Sequence, residues 1–99
     1  MIFLFLCRII RKIMDIQVRK PTDREIAAMK SKPVWMCGIS DFDWHYDNEE
    51  TALILEGNVT VNYGSKSVSF GAGDLVVFPE GLSCVWLVKK PVKKHYMFK

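Results

Sequence analysis

Two segments of the chain hold most of the side chains that could do chemistry. The first contains Asp43, His45 and Glu50, and the second ends at Cys84. A carboxylate enclosed by apolar side chains has a raised pKa and can act as a general acid or base. A thiol can act as a nucleophile or a soft metal ligand when a nearby cation lowers its pKa. These groups are the first candidates for a reactive site.

Aromatic side chains accompany these groups. Trp44 and Tyr46 are two positions apart, so in a β-strand they point to the same face. Trp86 follows Cys84 at the same spacing. On the last predicted strand His95 and Tyr96 are neighbours, and alternation sends one inward and one outward without deciding which. His95 is the cation considered for activating Cys84, and the alternative for Cys84 is a small buried hydrophobe.

The chain after Pro33 is predicted to be β-structure, because short apolar runs alternate with turn residues. Gly57-Asn58, Gly64-Ser65 and Gly71-Ala72-Gly73 are predicted to form the reversals. The predicted strands are Val34–Ile39, Phe42–Tyr46, Thr51–Leu55, Val59–Tyr63, Ser67–Phe70, Leu75–Phe78, Ser83–Val88 and Val92–Phe98. Strands of this length and spacing predict an all-β sandwich or barrel.

A short strand and a helix are predicted ahead of these strands. Ile16 and Val18 alternate with polar residues, and Lys20-Pro21 ends that strand. Thr22 and Glu25 have the spacing of a capping box, so a helix is expected to begin there and to continue to Lys30.

The first thirteen residues begin apolar and then turn basic, which is the reverse of a secretory signal. Their apolar run is far shorter than the roughly 20 residues that a membrane span needs. We therefore predict an N-terminal extension at residues 1–14, with Met14 as the true start, and one domain at residues 15–99. The alternative is an amphipathic arm for a membrane surface or a partner.

Composition narrows the class of protein. The 99 residues are enough for one small domain, and a net charge of +3 is too weak for a nucleic-acid footprint. The three cysteines are an odd number without CxxC spacing, which argues against a disulfide framework and a zinc ribbon. A cytoplasmic protein is predicted.

The spacing of glycines and charged residues resembles the two sequence motifs of cupins. In the first motif, Gly38, Glu50 and Gly57 match, while Trp44 and Tyr46 stand where the family has its metal-binding histidines. In the second motif, Gly73, Pro79 and Gly81 match, and Cys84 takes the place of the histidine.

The resemblance extends from about Ile16 to Phe98, and the tail from Trp86 to Tyr96 is similar to that of small single-domain cupins. These are the cupins related to (S)-ureidoglycine aminohydrolase and to the ethanolamine-utilisation group. The resemblance implies a double-stranded β-helix, or jelly roll, with one short N-terminal helix.

The resemblance also implies which side chains face the interior. Glu50 and Cys84 are the two inherited positions that could ligate, and a catalytic divalent metal typically takes about three protein ligands. No cofactor is therefore favoured, and Glu50 and Cys84 become the candidate catalytic residues. The candidate ligand-binding residues are Trp44, Tyr46, Trp86 and His95.

A second alignment of the first motif gives a different site. Asp43 and His45 then occupy the histidine positions and, with Glu50 and Cys84, form a mixed set for Zn, Mn or Fe. A solvent-facing His45 is favoured over this set. The five-residue spacing that follows Gly38 in the cupin motif places Trp44 and Tyr46, and not Asp43 and His45, at the histidine positions.

Three functions follow from these alternatives. The favoured one is a small-molecule-binding cupin with a metal-poor site, which includes enzymes acting on a small polar metabolite. The others are a non-catalytic structural cupin and a metal-dependent enzyme that uses Asp43, His45, Glu50 and Cys84. We expect a homodimer, because a small barrel gains stability by covering a strand edge.

Overall fold

The computed structural model describes residues 14–99, so the predicted extension lies outside the described residues except for Met14. The described chain forms seven β-strands and one short helix, which confirms the all-β prediction. The elements are β1 Gln17–Arg19, α1 Asp23–Met29, β2 Val34–Cys37, β3 Ser40–His45, β4 Glu50–Tyr63, β5 Lys66–Gly71, β6 Leu75–Phe78 and β7 Ser83–Phe98. Within residues 14–99, no helix has the length and apolarity needed to cross a membrane.

The helix α1 begins as the sequence predicts. The Glu25 backbone N–H donates to the Thr22 hydroxyl, and the Glu25 carboxylate accepts from the Thr22 N–H, so the capping box is complete. Ile26 and Met29 then pack against Leu53 of β4 and Leu75 of β6, outside the main core. The helix therefore covers one outer face of the sheet.

The two longest strands, β4 and β7, form the centre of the sheet. They run antiparallel to each other, and the strand order is β1-β6-β4-β7-β2, with β3 pairing with β7 and β5 with β4. The core lies inside this sheet, with Tyr46, Phe78 and Trp86 among its largest fully buried side chains. Both candidate site segments therefore border β7.

The predicted reversal at Gly57-Asn58 is wrong, because β4 continues through it as a bulged strand. The pairing with β7 shifts register between Ile54 and Val59. Gly57 has φ +116°, and a Cβ there would lie 2.8 Å from the Pro91 carbonyl oxygen and from the Val92 Cα. The glycine therefore lets the two long strands approach each other where both bend. Pro91 likewise lies inside a strand, so the predicted strands Ser83–Val88 and Val92–Phe98 form the single strand β7.

The other two predicted reversals are confirmed. Gly64 joins β4 to β5 with φ +56°, and Gly73 lies between β5 and β6 with φ +92°. Both values lie in the region that glycine adopts without a steric penalty. The second turn is held by Asp74, whose carboxylate accepts from the Gly71 N–H and from Lys20, at 2.9 Å each.

Candidate functional site

Tyr46 lies immediately after β3 and is fixed there by its backbone. Its N–H donates to the Leu82 carbonyl at 2.9 Å, and its own carbonyl accepts from the Gly81 N–H at 2.7 Å. The Tyr46 hydroxyl, deep in the core, accepts from Trp86 Nε1 at 3.2 Å. Burial, reinforced by the nearby Glu50 and Cys84, holds the pKa of Tyr46 far above its usual range. Tyr46 is therefore a neutral phenol.

Aromatic rings from four strands pack around this hydrogen bond. Phe78 of β6 stacks on Tyr46 with ring centroids 4.8 Å apart. Phe42 of β3 stacks on Trp86 at 5.8 Å, and Trp35 of β2 meets Trp86 edge to face at 6.0 Å. Such pairs each add about 0.5–1.5 kcal/mol beyond the area they bury. The result is a rigid aromatic wall.

A buried ion pair lies against this wall. Lys94 Nζ of β7 donates to Glu50 Oε2 of β4 at 2.5 Å, and the two side chains are 7% and 4% exposed. The same nitrogen lies 4.8 Å from the ring centroids of both Trp35 and Trp86. Among residues 14–99, neither charged group has a second hydrogen-bonding partner.

Burial acts on the proton affinity of both members of the ion pair. Burial raises the pKa of Glu50, and the nearby Lys94 ammonium opposes that shift. Burial lowers the pKa of Lys94, and the Glu50 carboxylate opposes that shift in turn. Both shifts bring the proton affinities of the two groups closer together, because desolvation disfavours both charges. A proton can therefore pass between the two groups without leaving the pair.

The ion pair and the aromatic wall line one cavity of about 310 Å³, which we call the aromatic cavity. Trp44 and Phe98, 48% and 53% exposed, lie at its open side. Its lining residues are Trp35, Phe42, Trp44, Tyr46, Glu50, Trp86, Lys94, Tyr96 and Phe98. A site with apolar walls and few polar groups is typical of small-molecule pockets.

Of the two aromatics of the first motif, one is inside and the other at the rim. Tyr46 is 1% exposed, whereas Trp44 is 48% exposed. Both line the aromatic cavity, but strand alternation does not make them equivalent, because β3 ends at His45. Trp44 therefore does not fill the interior as expected from the cupin frame.

Cys84 lies apart from the other candidate catalytic residue. It pairs with Trp44 across β3 and β7 and, although buried in the core, does not line the aromatic cavity with Glu50. Burial raises the pKa of its thiol to about 11, against a smaller opposing effect of Trp86. The thiol therefore stays protonated near neutral pH.

The placement of His95 differs from the sequence-based assignment to ligand binding. His95 Nδ1 lies 2.9 Å from the Lys32 carbonyl oxygen, and it is Tyr96 that lines the aromatic cavity. His95 pairs with Val34 of β2 and Leu53 of β4, whereas Cys84 pairs with Trp44 of β3. Because they lie at different ends of β7, His95 is not the cation that faces Cys84.

Lys94 is the charged residue of the cavity that the sequence did not predict. In the sequence it belongs to a run with Lys89, Lys90 and Lys93 that is typical of a solvated strand edge, yet Lys94 is 5% exposed. The signal was present in the alternation of β7, where Trp86, Val92 and Lys94 share the inward face. The lysine run hid that signal because Lys93 and Lys94 are adjacent in sequence but point to opposite faces.

The alternative metal-binding set is not brought together. Asp43 and His45 are exposed, and His45 Nδ1 lies 2.7 Å from the hydroxyl oxygen of Ser83 on β7. They line a groove beside β3, which we call the outer groove. Its lining residues are Asp43, Trp44, His45, Asn62, Tyr63, Gly64, Ser83, Cys84 and Val85.

The donor groups on the inside do not fit the metal that the cupin resemblance implies. The carboxylate of Glu50 is engaged by an ammonium group, and the thiol of Cys84 is protonated. Metal ligands must be deprotonated and free of a competing cation. In the described part of the chain, no three His, Cys, Asp or Glu side chains cluster closely enough to hold a metal ion.

An all-β sheet with an aromatic cavity that is lined by Trp44, Tyr46 and Glu50 of the first cupin motif is typical of a small cupin. The sequence matches the model of the EutQ-like cupin domain over residues 25–96. It therefore belongs to the EutQ-like cupin domain family, which confirms the predicted single-domain cupin jelly roll. No curated protein matches the sequence.

Solved structures agree with this assignment. A DUF861 family protein from Thermotoga maritima is 41% identical, with a TM-score of 0.82 over 86% of this chain and 100% of that one. The EutQ protein of Clostridium difficile is 16% identical, with a TM-score of 0.61 over 84% of this chain and 66% of that one. A putative ethanolamine utilization protein Q from Salmonella typhimurium is 17% identical, with a TM-score of 0.60 over 84% and 68%.

The last two similarities show the fold alone. The link to (S)-ureidoglycine aminohydrolase, the homodimer and the cytoplasmic location stay predictions.

Proposed function

We propose that this cupin binds a small organic molecule in the aromatic cavity, with the polar group of the ligand at the Glu50–Lys94 pair. The observation that carries the proposal is the placement of a buried ion pair inside an aromatic cavity that opens to solvent. A purely structural barrel has no need of two buried charges, which cost more than apolar packing of the same volume.

The cavity also indicates the kind of ligand. Its volume of about 310 Å³ is at the lower end of ligand pockets, and its rings offer faces for stacking. Lys94 offers N–H donors, and Glu50 has a second carboxylate oxygen that Lys94 does not use. A planar apolar molecule with one oxygen acceptor is the best match.

A binding measurement with matched variants tests this proposal. A thermal-shift screen of small aromatic alcohols, acids and aldehydes should give hits whose affinity falls about fivefold to tenfold in Trp44→Ala, since one stacking partner is lost. Asp43→Ala, at the neighbouring exposed position, is the control and should bind like the wild type. Cys84→Ala should also bind normally, because the thiol does not line the cavity. Equal binding by the wild type and Trp44→Ala would place the ligand elsewhere.

The predicted homodimer would form through β2. This strand ends the sheet, and Val34, Met36 and the following Ile39 are 44%, 69% and 72% exposed. Exposed apolar edges favour strand pairing between copies. Light scattering should give twice the chain mass for the wild type and for Ser65→Lys, and the mass of one chain for Met36→Lys. A monomeric wild type would contradict the prediction.

A further inference from the structure

Lys94 has the environment that makes a lysine a nucleophile. Its Nζ is enclosed by Trp35 and Trp86, its side chain is 7% exposed, and it still lines a cavity that opens to solvent. Lysines activated for Schiff-base formation lie in such desolvated pockets. An ammonium group with a purely structural role would not need to line the cavity.

Glu50 supplies the second requirement, which is a group that moves protons at the same nitrogen. Its Oε2 lies 2.5 Å from Lys94 Nζ, within reach for direct proton transfer. Among residues 14–99, the carboxylate has no hydrogen bond that would compete with this exchange.

We propose that Lys94 forms an imine with the carbonyl group of a small aldehyde or ketone held in the aromatic cavity, with Glu50 accepting and returning the proton. The proposal rests on the proposed ligand-binding function of that cavity. It assigns the polar group of the ligand as a carbonyl and the contact as covalent.

The steps balance without any other reactant. Lys94 ammonium passes one proton to the Glu50 carboxylate, and the free amine attacks the carbonyl carbon. The nitrogen gives a proton to the resulting alkoxide, which forms a carbinolamine. Glu50 then protonates the hydroxyl group, which leaves as water while the nitrogen lone pair forms the C=N bond. The products are an iminium cation, a water molecule and the Glu50 carboxylate.

This outcome preserves the charges of the buried site. Before the reaction an ammonium faces the Glu50 carboxylate, and afterwards an iminium ion on the same nitrogen faces it. The indole rings that flank Lys94 lie near a cation in both states. Glu50 therefore serves as the counter-ion of the covalent product. A buried cation elsewhere in the core would have no such counter-ion.

The balance of proton affinities supports the same conclusion. Burial lowers the pKa of Lys94 even with the carboxylate beside it. A larger fraction of Lys94 than of a solvated lysine is thus the free amine near neutral pH, and the free amine is the reactive form.

Reductive trapping with benzaldehyde tests the proposal. In the presence of cyanoborohydride, the imine becomes a stable benzyl amine, which intact mass and peptide mapping locate. Because Lys94 lines the cavity that holds the aldehyde and burial lowers its pKa, labelling of Lys94 should be severalfold faster than that of Lys93. Lys94→Arg should lose this fast phase and keep the slow one, whereas Lys93→Arg should keep the fast phase.

Benzyl alcohol separates the failure of this proposal from the failure of ligand binding. It has the same ring but no carbonyl, so it can enter the cavity and quench Trp35 and Trp86 fluorescence without forming an imine. Saturable binding of benzyl alcohol with no fast labelling of Lys94 would overturn the imine and leave the proposed function standing. No saturable binding of either compound would overturn both. Fast labelling that persists in Lys94→Arg would assign it to another amine and also overturn the imine.

Discussion

The aromatic cavity and the outer groove both border β3, share Trp44 in their linings, and contain similar groups. The cavity holds Glu50 and Lys94 at 7% side-chain exposure or less, and the outer groove holds Asp43, His45 and Ser83 in contact with water. The His45–Ser83 hydrogen bond of 2.7 Å is nearly as short as the Lys94–Glu50 contact of 2.5 Å. Burial, and not distance, distinguishes the two sites. Desolvation shifts the proton affinities of the buried groups, and removal of either partner leaves the other charge buried without a counter-charge.

The largest expected effect comes from removing one member of the buried pair. Glu50→Gln leaves the Lys94 ammonium without a counter-charge, and Lys94→Met leaves the Glu50 carboxylate in the same state. Each should lower the free energy of unfolding by about 3–5 kcal/mol. Urea denaturation followed by tryptophan fluorescence measures this loss.

The double variant Glu50→Leu/Lys94→Met sharpens this prediction. Replacing both charges with apolar groups of similar size is often neutral or stabilising, so the double variant should be more stable than either single one. It should also lose ligand binding and the fast labelling of Lys94. Single variants as stable as the wild type would mean that the pair is solvated, and the contrast with the outer groove would disappear.

The fold and one member of the buried pair could be predicted from the sequence, whereas the other member could not. The cupin spacing is carried by Gly38, Gly57, Gly73 and Gly81, and the last three have a positive φ, which glycine adopts without a steric penalty. The fold could therefore be predicted from short segments of the sequence. The candidate site residue Glu50 could be predicted from the same motif spacing. A contact 44 residues apart in sequence, such as that of Lys94 with Glu50, has no local signature.

Two further residues show where local rules fail. Trp44 was expected to fill the interior beside Tyr46, but it is 48% exposed, because alternation fixes the face to which a side chain points and not its depth. Gly57 was expected to turn the chain because glycine is common in reversals, but here it allows close approach to Val92. In both cases tertiary packing decided between two structures that the local sequence permits equally.

The next largest effect is expected at the Tyr46 hydroxyl. Tyr46→Phe removes the acceptor of the Trp86 Nε1–H bond in the buried wall, and an unpaired buried donor costs about 1–3 kcal/mol. Trp44→Phe, at the half-exposed position of the same motif, should cost less than about 1 kcal/mol. Thermal unfolding of the two variants compares them directly. Equal losses would mean that the rim and the wall of the cavity are equally constrained.

Cys84 borders the outer groove but is predicted to behave like a buried group. Because its pKa is raised to about 11, the thiolate is the minor form throughout neutral pH and increases as pH rises. Alkylation of Cys84 by iodoacetamide should therefore accelerate about tenfold per pH unit between pH 7 and pH 10, equivalent to about 1.4 kcal/mol per unit. Peptide-resolved mass spectrometry follows each cysteine separately, and Cys84→Ala identifies the signal. A rate that levels off near pH 8 would indicate an activated thiol.

The smallest effect is expected from His45 and Ser83. Their hydrogen bond joins two exposed side chains across β3 and β7, and water replaces the lost partner of either one. His45→Ala and Ser83→Ala should each change the free energy of unfolding by less than about 0.5 kcal/mol, and neither should affect ligand binding in the aromatic cavity. Urea denaturation of both variants beside Glu50→Gln measures the contrast under one set of conditions. A loss above 2 kcal/mol in either variant, a level expected only for buried polar groups, would show that exposure does not separate the two sites and that the outer groove has a structural role of its own.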